Sequence, residues 1–68
     1  MTSDDVVPGT MAISWGNVLY VVVKITEIDH DPVELRHVVV MTDQGWRRWA
    51  MDDKDAKRDT LVRRGRTE

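Results

Sequence analysis

Apolar and polar residues alternate with a period of two along most of the chain, and this pattern predicts β-strands. Four alternating segments occupy residues 10–15, 18–28, 35–42 and 45–51, and a shorter one occupies residues 59–64. Gly16 and Asn17 separate the first two segments, and Gly45 ends the turn before the fourth. Glycine and asparagine tolerate the positive φ angles that tight turns need. The pattern therefore predicts five short strands joined by turns, with a longer loop at residues 29–34.

The segment at residues 18–28 is the strongest of these elements, because β-branched residues that favour pleated strands fill most of it. One side of this strand is uniformly aliphatic, and we expect it to face the core: Leu19, Val21, Val23 and Ile25. The other side is mixed, and we expect it to be at least half exposed: Tyr20, Val22, Lys24 and Thr26. Ile28 is out of phase with Ile25, which predicts a bulge or bend at residues 26–28.

Two arginines separate the two tryptophans of the segment at residues 45–51. In a strand, Trp46 and Arg48 point to one side, and Arg47 and Trp49 point to the other. Met51 continues the side that carries Trp49, so we predict that this side packs in the core. Trp46 and Arg48 are then predicted to lie on the surface.

Residues 52–58 are almost all charged, and they begin with an aspartate that can cap a helix. This segment has no evident apolar face, so we predict only one helical turn, placed between the fourth and fifth strands. That order of elements predicts an all-β fold, a single SH3-like barrel of about five antiparallel strands. The alternative, an OB-type barrel, usually needs longer strands and more chain. We expect one domain over residues 1–68, with flexible ends at residues 1–7 and 65–68.

Part of the chain, at residues 9–53, resembles the Tudor and Agenet class of SH3-like barrels. The resemblance rests on a glycine before an alternating strand that ends in Trp15, a second strand led by Tyr20, and a third strand that ends in an acidic-glycine turn at residues 43–45. It implies an aromatic cage for methylated lysine or arginine, in which Trp15 and Tyr20 match two positions. The third strand departs from the cage pattern, since aromatic positions hold Met41, Thr42 and Gln44. We therefore carry over the fold and the binding face, and not the ligand.

Composition and charge limit the classes of function. The 68 residues include no cysteine, which excludes disulfides and thiolate metal sites and is typical of a cytoplasmic protein. No apolar run approaches the length of a membrane span. The net charge of −2 hides an asymmetry, because residues 1–45 are net acidic and residues 46–66 are net basic. This asymmetry is typical either of a solvated basic tail or of binding to nucleic acid.

No arrangement typical of catalysis is present: the chain lacks a nucleophile with a base, paired buried carboxylates and a phosphate-binding loop. Residues 29–31 read Asp-His-Asp, which we interpret as a solvated turn and not as a metal site. His37 is interpreted as a packed or surface imidazole. We expect no enzyme activity, no cofactor and no metal.

The expected function is a non-catalytic binding module for a protein partner. Exposed Trp, Tyr and Arg dominate the energetics of such sites, and the predicted partner-binding residues are Trp15, Tyr20, Trp46 and Arg48. Short chains of this kind resemble small phage or accessory proteins that act on a larger host or assembly protein. The alternative is a nucleic-acid-binding barrel that uses Arg47, Arg48, Lys54, Lys57, Arg58, Arg63 and Arg64. Self-association through an edge strand or an exposed apolar strip is a third option.

Overall fold

Five antiparallel strands form one sheet, in the order β4-β3-β2-β1-β5. A computed structural model describes residues 1–65 of the chain. The strands are β1 (Met11–Ile13), β2 (Leu19–Asp29), β3 (Leu35–Thr42), β4 (Gly45–Met51) and β5 (Thr60–Arg63). A short helix α1 (Asp53–Arg58) precedes β5, and a 3-10 turn (Ser3–Asp5) precedes β1. This confirms the predicted all-β fold of five antiparallel strands with one short helix before the last strand.

The predicted turns are confirmed, and backbone geometry explains their residues. Asn17 has a φ of 66°, and its N–H donates to the Ser14 carbonyl over 2.8 Å. Gly45 has a φ of 102°, a conformation that a residue with a Cβ rarely adopts. Within residues 1–65, no helix has the length and apolar content that would carry it across a bilayer.

The predicted orientation of β2 is wrong at its start. Tyr20 and Val22 are fully buried, whereas Leu19 and Val23 are 50% and 38% exposed. The side of β2 that was expected to be exposed to solvent therefore packs in the core. The physical reason is that the phenol of Tyr20 has a buried acceptor in Asp59, a contact between residues far apart in sequence.

Two irregularities in β2 change which residues share a face. The register with β3 shifts between Val22 and Lys24, and again between Ile25 and Glu27. The second shift confirms the bulge predicted at residues 26–28. The first was not predicted, and it brings Ile25 onto the core side opposite the buried Val38. Each bulge adds one residue to β2 relative to β3 and bends the strand.

The N-terminal segment packs against the sheet, although residues 1–7 were expected to be flexible. Val6 is 1% exposed and belongs to the core cluster. Its carbonyl accepts a hydrogen bond from Arg36 Nη1 over 3.1 Å, and the Thr10 hydroxyl donates to the Asp5 carbonyl over 2.6 Å. At the other predicted flexible end, Gly65 donates its N–H to Thr10 Oγ1 over 2.8 Å. The remainder of that end, residues 66–68, lies outside the described residues.

The helix α1 begins with the predicted aspartate cap. Asp52 Oδ1 accepts from the Asp55 N–H over 2.9 Å, and Asp55 Oδ2 accepts from the Asp52 N–H over 3.2 Å. Such a reciprocal arrangement satisfies two amide donors that a helix start leaves free. The expectation that this segment has no apolar side is wrong, because Ala56 is fully buried in the core.

Candidate interaction surface

Trp46 and Arg48 lie on the outer side of the sheet, as predicted, and they line one shallow depression. We call this depression the Trp46 surface; its residues are Val23, Lys24, Thr26, Val39, Trp46 and Arg48. Trp46 is 58% exposed, whereas Trp49 on the opposite side of the same strand is half-buried against the core. Strand alternation therefore separates the two tryptophans as the sequence predicts.

Cross-strand pairing places a row of apolar residues next to the Trp46 surface. Trp46 lies opposite Met41 in β3, and Met41 lies opposite Val21 in β2. Val21 in turn lies opposite Met11 in β1, so an apolar row crosses four strands and ends at Trp46. Facing residues on neighbouring strands lie close enough for their side chains to interact. The row therefore continues the apolar outer side of the sheet from Trp46 towards β1.

Two cationic side chains lie beside this row. Lys24, Val39 and Arg48 form the next set of cross-strand neighbours. Among the ion pairs found within residues 1–65, none includes Lys24 or Arg48. Both charges are therefore available to an anionic group of a partner next to an exposed aromatic ring.

Trp15 is strongly exposed, but it lies elsewhere. It is 77% exposed in the turn after β1, where it lines a separate depression with Arg58. Its backbone N–H donates to Asp59 Oδ1 over 3.3 Å, which ties the turn to the start of β5. In the sheet order, β1 is separated from β4 by two strands. Trp15 is thus an exposed aromatic at a second position and not a member of the Trp46 surface.

Tyr20 is not available on the surface, contrary to its predicted place in a partner-binding set. Its side chain is fully buried, and its hydroxyl donates to Asp59 Oδ2 over 2.5 Å. Its ring packs against that of Trp49 in a T-shaped arrangement, with centroids 4.9 Å apart. Burial, together with the hydrogen bond and the negative charge of Asp59, raises the pKa of the Tyr20 phenol well above its ordinary value of 10.0. Tyr20 is therefore a core residue, because its hydroxyl is hydrogen-bonded to Asp59 inside the protein.

The basic residues predicted for nucleic acid do not form one surface. Arg47 and Arg48 point to opposite sides of β4. Of the residues predicted to bind nucleic acid, Arg48 is the one that lines the Trp46 surface. Lys57 pairs with Asp53 at 3.1 Å, and Arg64 pairs with Asp5 at 3.5 Å. The other members of the set are distributed between α1, the Trp15 depression and the end of the chain near Pro8: Lys54, Arg58 and Arg63.

The sequence reasoning missed most of the neighbours of Trp46. Val23 was assigned to the core, yet it lines the Trp46 surface because the register shifts beside it. Lys24 and Thr26 were placed on the exposed side, but nothing connected them to β4. The run of three valines before Lys24 was an available signal, since a strand apolar on both sides leaves its phase open.

Comparison with known proteins adds no identification. No family model matches the chain, no curated protein matches it, and no solved structure matches it.

Proposed function

We propose that this chain is a non-catalytic, SH3-like binding module that docks a protein partner on the Trp46 surface. The strand order supports the SH3-like part of the proposal. All five strands are antiparallel, β1 pairs with both β2 and β5, and a short helix occupies the connection between β4 and β5. This is the element order that the sequence pattern suggested for such a barrel.

The observation that carries the binding proposal is the exposed Trp46 beside Lys24 and Arg48, two cations with no ion-pair partner among residues 1–65. A tryptophan that is 58% exposed on an ordered strand leaves a large apolar area in water. Tryptophan and arginine are also the residues that most often dominate the binding energy of protein interfaces. The partner that fits is an apolar segment with acidic residues, because Lys24 and Arg48 offer charges of the opposite sign. A small accessory protein that acts on a larger host or assembly protein would work in this way.

Selection of peptides on the immobilised protein, followed by affinity measurement, tests this proposal. We expect the selected peptides to combine apolar and acidic residues. The double variant Trp46→Ala, Arg48→Ala is expected to bind them at least about 30-fold more weakly, which corresponds to about 2 kcal/mol. The matched control is Trp15→Ala, Arg58→Ala, which removes the same two residue types from the other depression. Equal affinity of the wild-type protein and the Trp46 double variant would overturn the proposal.

Titration with oligonucleotides separates this function from nucleic-acid binding. An exposed tryptophan beside arginine and lysine can also stack on a base and contact phosphate. The scattered basic residues and the ion pairs of Lys57 and Arg64 favour the protein partner. We expect no binding to single-stranded or duplex oligonucleotides at low salt. Binding that weakens steeply with salt and is lost in the Trp46 double variant would assign the surface to nucleic acid instead.

Sedimentation at two protein concentrations tests whether the partner is a second copy of the chain. The proposal of an acidic partner predicts a monomer at both concentrations. A dimer that dissociates on dilution and is abolished in the Trp46 double variant would replace that proposal with self-association.

A further inference from the structure

Three side chains that can bind a metal ion lie close together on the outer side of the sheet, on β2 and β3. Glu27, Asp29 and His37 each offer one ligand atom, and these atoms all lie within 4.8 Å of one another. His37 Nε2 is 2.8 Å from Asp29 Oδ2. Glu27 lies directly opposite His37, and Asp29 follows two residues later on the same face of β2. The cluster therefore comes from two adjacent, hydrogen-bonded strands and not from a loop.

The bulge in β2 is the feature that brings these groups together. Ile25 lies opposite Val38, so an unbroken ladder would next place Thr26 opposite His37. The register shift instead places Glu27 opposite His37, and it turns Asp29 to the same side. Thr26 Oγ1 donates to the His37 carbonyl over 3.1 Å, which joins the extra residue to the neighbouring strand. The bulge thus replaces a threonine with two carboxylates around one imidazole, as bulges near functional sites re-aim side chains.

One imidazole and two carboxylates form a recognised type of donor set. Zn²⁺ accepts nitrogen from histidine and oxygen from aspartate or glutamate, and open zinc sites commonly have three protein ligands. An imidazole favours transition ions over Mg²⁺ and Ca²⁺, which prefer oxygen ligands alone. Both carboxylates are exposed and His37 is half-buried, so an ion can approach from solvent. The two carboxylates also balance the charge of a divalent cation.

We propose that Glu27, Asp29 and His37 form a binding site for a divalent transition ion, with Zn²⁺ as the representative ion. The site shares no ligand residue with the Trp46 surface, which it adjoins at Thr26, and the proposal does not depend on the docking function. Binding draws the His37 and Asp29 side chains from their mutual hydrogen bond onto the metal. The positions on the solvent side are open to water or to a donor group from a bound molecule.

Zinc titration of the untagged protein by calorimetry tests this proposal, and the chain provides a matched control. His30 is the other histidine of the chain, and it lies in the loop after β2, outside the cluster. We expect saturable binding of one Zn²⁺ by the wild-type protein and by His30→Ala, and loss of that binding in His37→Ala. The double variant Glu27→Gln, Asp29→Asn keeps the side-chain shapes and is also expected to lose saturable binding.

Two further measurements separate loss of a ligand from loss of fold. Without zinc, the thermal unfolding of His37→Ala should match that of His30→Ala. With zinc, the melting temperature should rise only for proteins that retain the three ligands, because an ion that binds the folded state stabilises it. If His37→Ala fails to fold, the double carboxylate variant decides the matter. Weak, non-saturating zinc binding by the wild-type protein, or equal binding by wild type and His37→Ala, would overturn the proposal.

Discussion

The buried contact between Tyr20 and Asp59 sets the orientation of β2 at the scale of single residues. Asp59 is 7% exposed, and its two oxygens accept from the Tyr20 hydroxyl and the Trp15 N–H. A buried carboxylate is costly unless such donors satisfy it. The phenol thus stabilises both the core side of β2 and the junction between α1 and β5.

Replacement of Tyr20 by phenylalanine should destabilise the protein by about 2 kcal/mol, because a hydrogen bond to a charged group is lost and Asp59 loses a donor. Urea unfolding measures the effect. In the double variant Tyr20→Phe, Asp59→Asn, the buried carboxylate is also removed, so its destabilisation should be smaller than the sum of the two single effects. Strict additivity would show that the two side chains do not interact.

The raised pKa of Tyr20 also predicts how stability changes in alkaline solution. The phenol ionises at a higher pH in the folded state than in the unfolded state, so above about pH 10 the unfolded state binds fewer protons. The contribution of this group is therefore complete below about pH 10 and is lost as the pH rises further. Tyr20 is the only tyrosine in the chain, which makes Tyr20→Phe a clean reference. Urea unfolding over a series of alkaline pH values should show a steeper loss of stability for wild type than for Tyr20→Phe. Parallel curves would contradict the prediction.

At the scale of elements, the capping box of α1 stabilises the helix and also the positions of the two buried residues that depend on it, Ala56 and Asp59. The cap fixes the start of a helix whose buried Ala56 packs in the core, and Asp59 follows directly at its end. We expect Asp52→Ala to lower the free energy of unfolding by about 1 kcal/mol, the usual effect of losing a side-chain cap. The exposed helix residue Lys54 provides a control, since Lys54→Ala removes a side chain without removing the cap. Equal stability of the two variants would argue against the capping role.

Features that depend only on residues close together in the sequence were predicted well. The bounds of β3, the turn at Gly45 and the division of Trp46 from Trp49 follow from local alternation and turn chemistry. The buried side of β2 was not predictable in this way, because valines occupy both of its sides and Tyr20 finds its partner in a distant segment. The cluster of Glu27, Asp29 and His37 was missed for a related reason, since it depends on the exact register of two strands.

At the scale of the whole molecule, the N-terminal segment is an integral part of the core. Val6 is buried, and its carbonyl accepts a hydrogen bond from the guanidinium of Arg36. The same segment reaches α1, where the Ser3 N–H donates to Asp53 Oδ1 over 3.1 Å. A domain of this size buries a smaller fraction of its surface than a larger domain does, and it is stable by only a few kcal/mol. Each buried residue in this segment therefore contributes a substantial share of the total free energy of unfolding.

Val6→Ala should consequently lower the free energy of unfolding by about 2 kcal/mol, from two lost methyl groups and the cavity that remains. Val33→Ala is the matched control, because Val33 is 57% exposed in the loop before β3 and the same atoms are removed there from solvent. Its effect should stay within about 0.5 kcal/mol. Urea unfolding of the two variants beside wild type provides the comparison. If both substitutions have the same small effect, the N-terminal segment is not part of the cooperative fold, and the original expectation of a flexible terminus at residues 1–7 would stand.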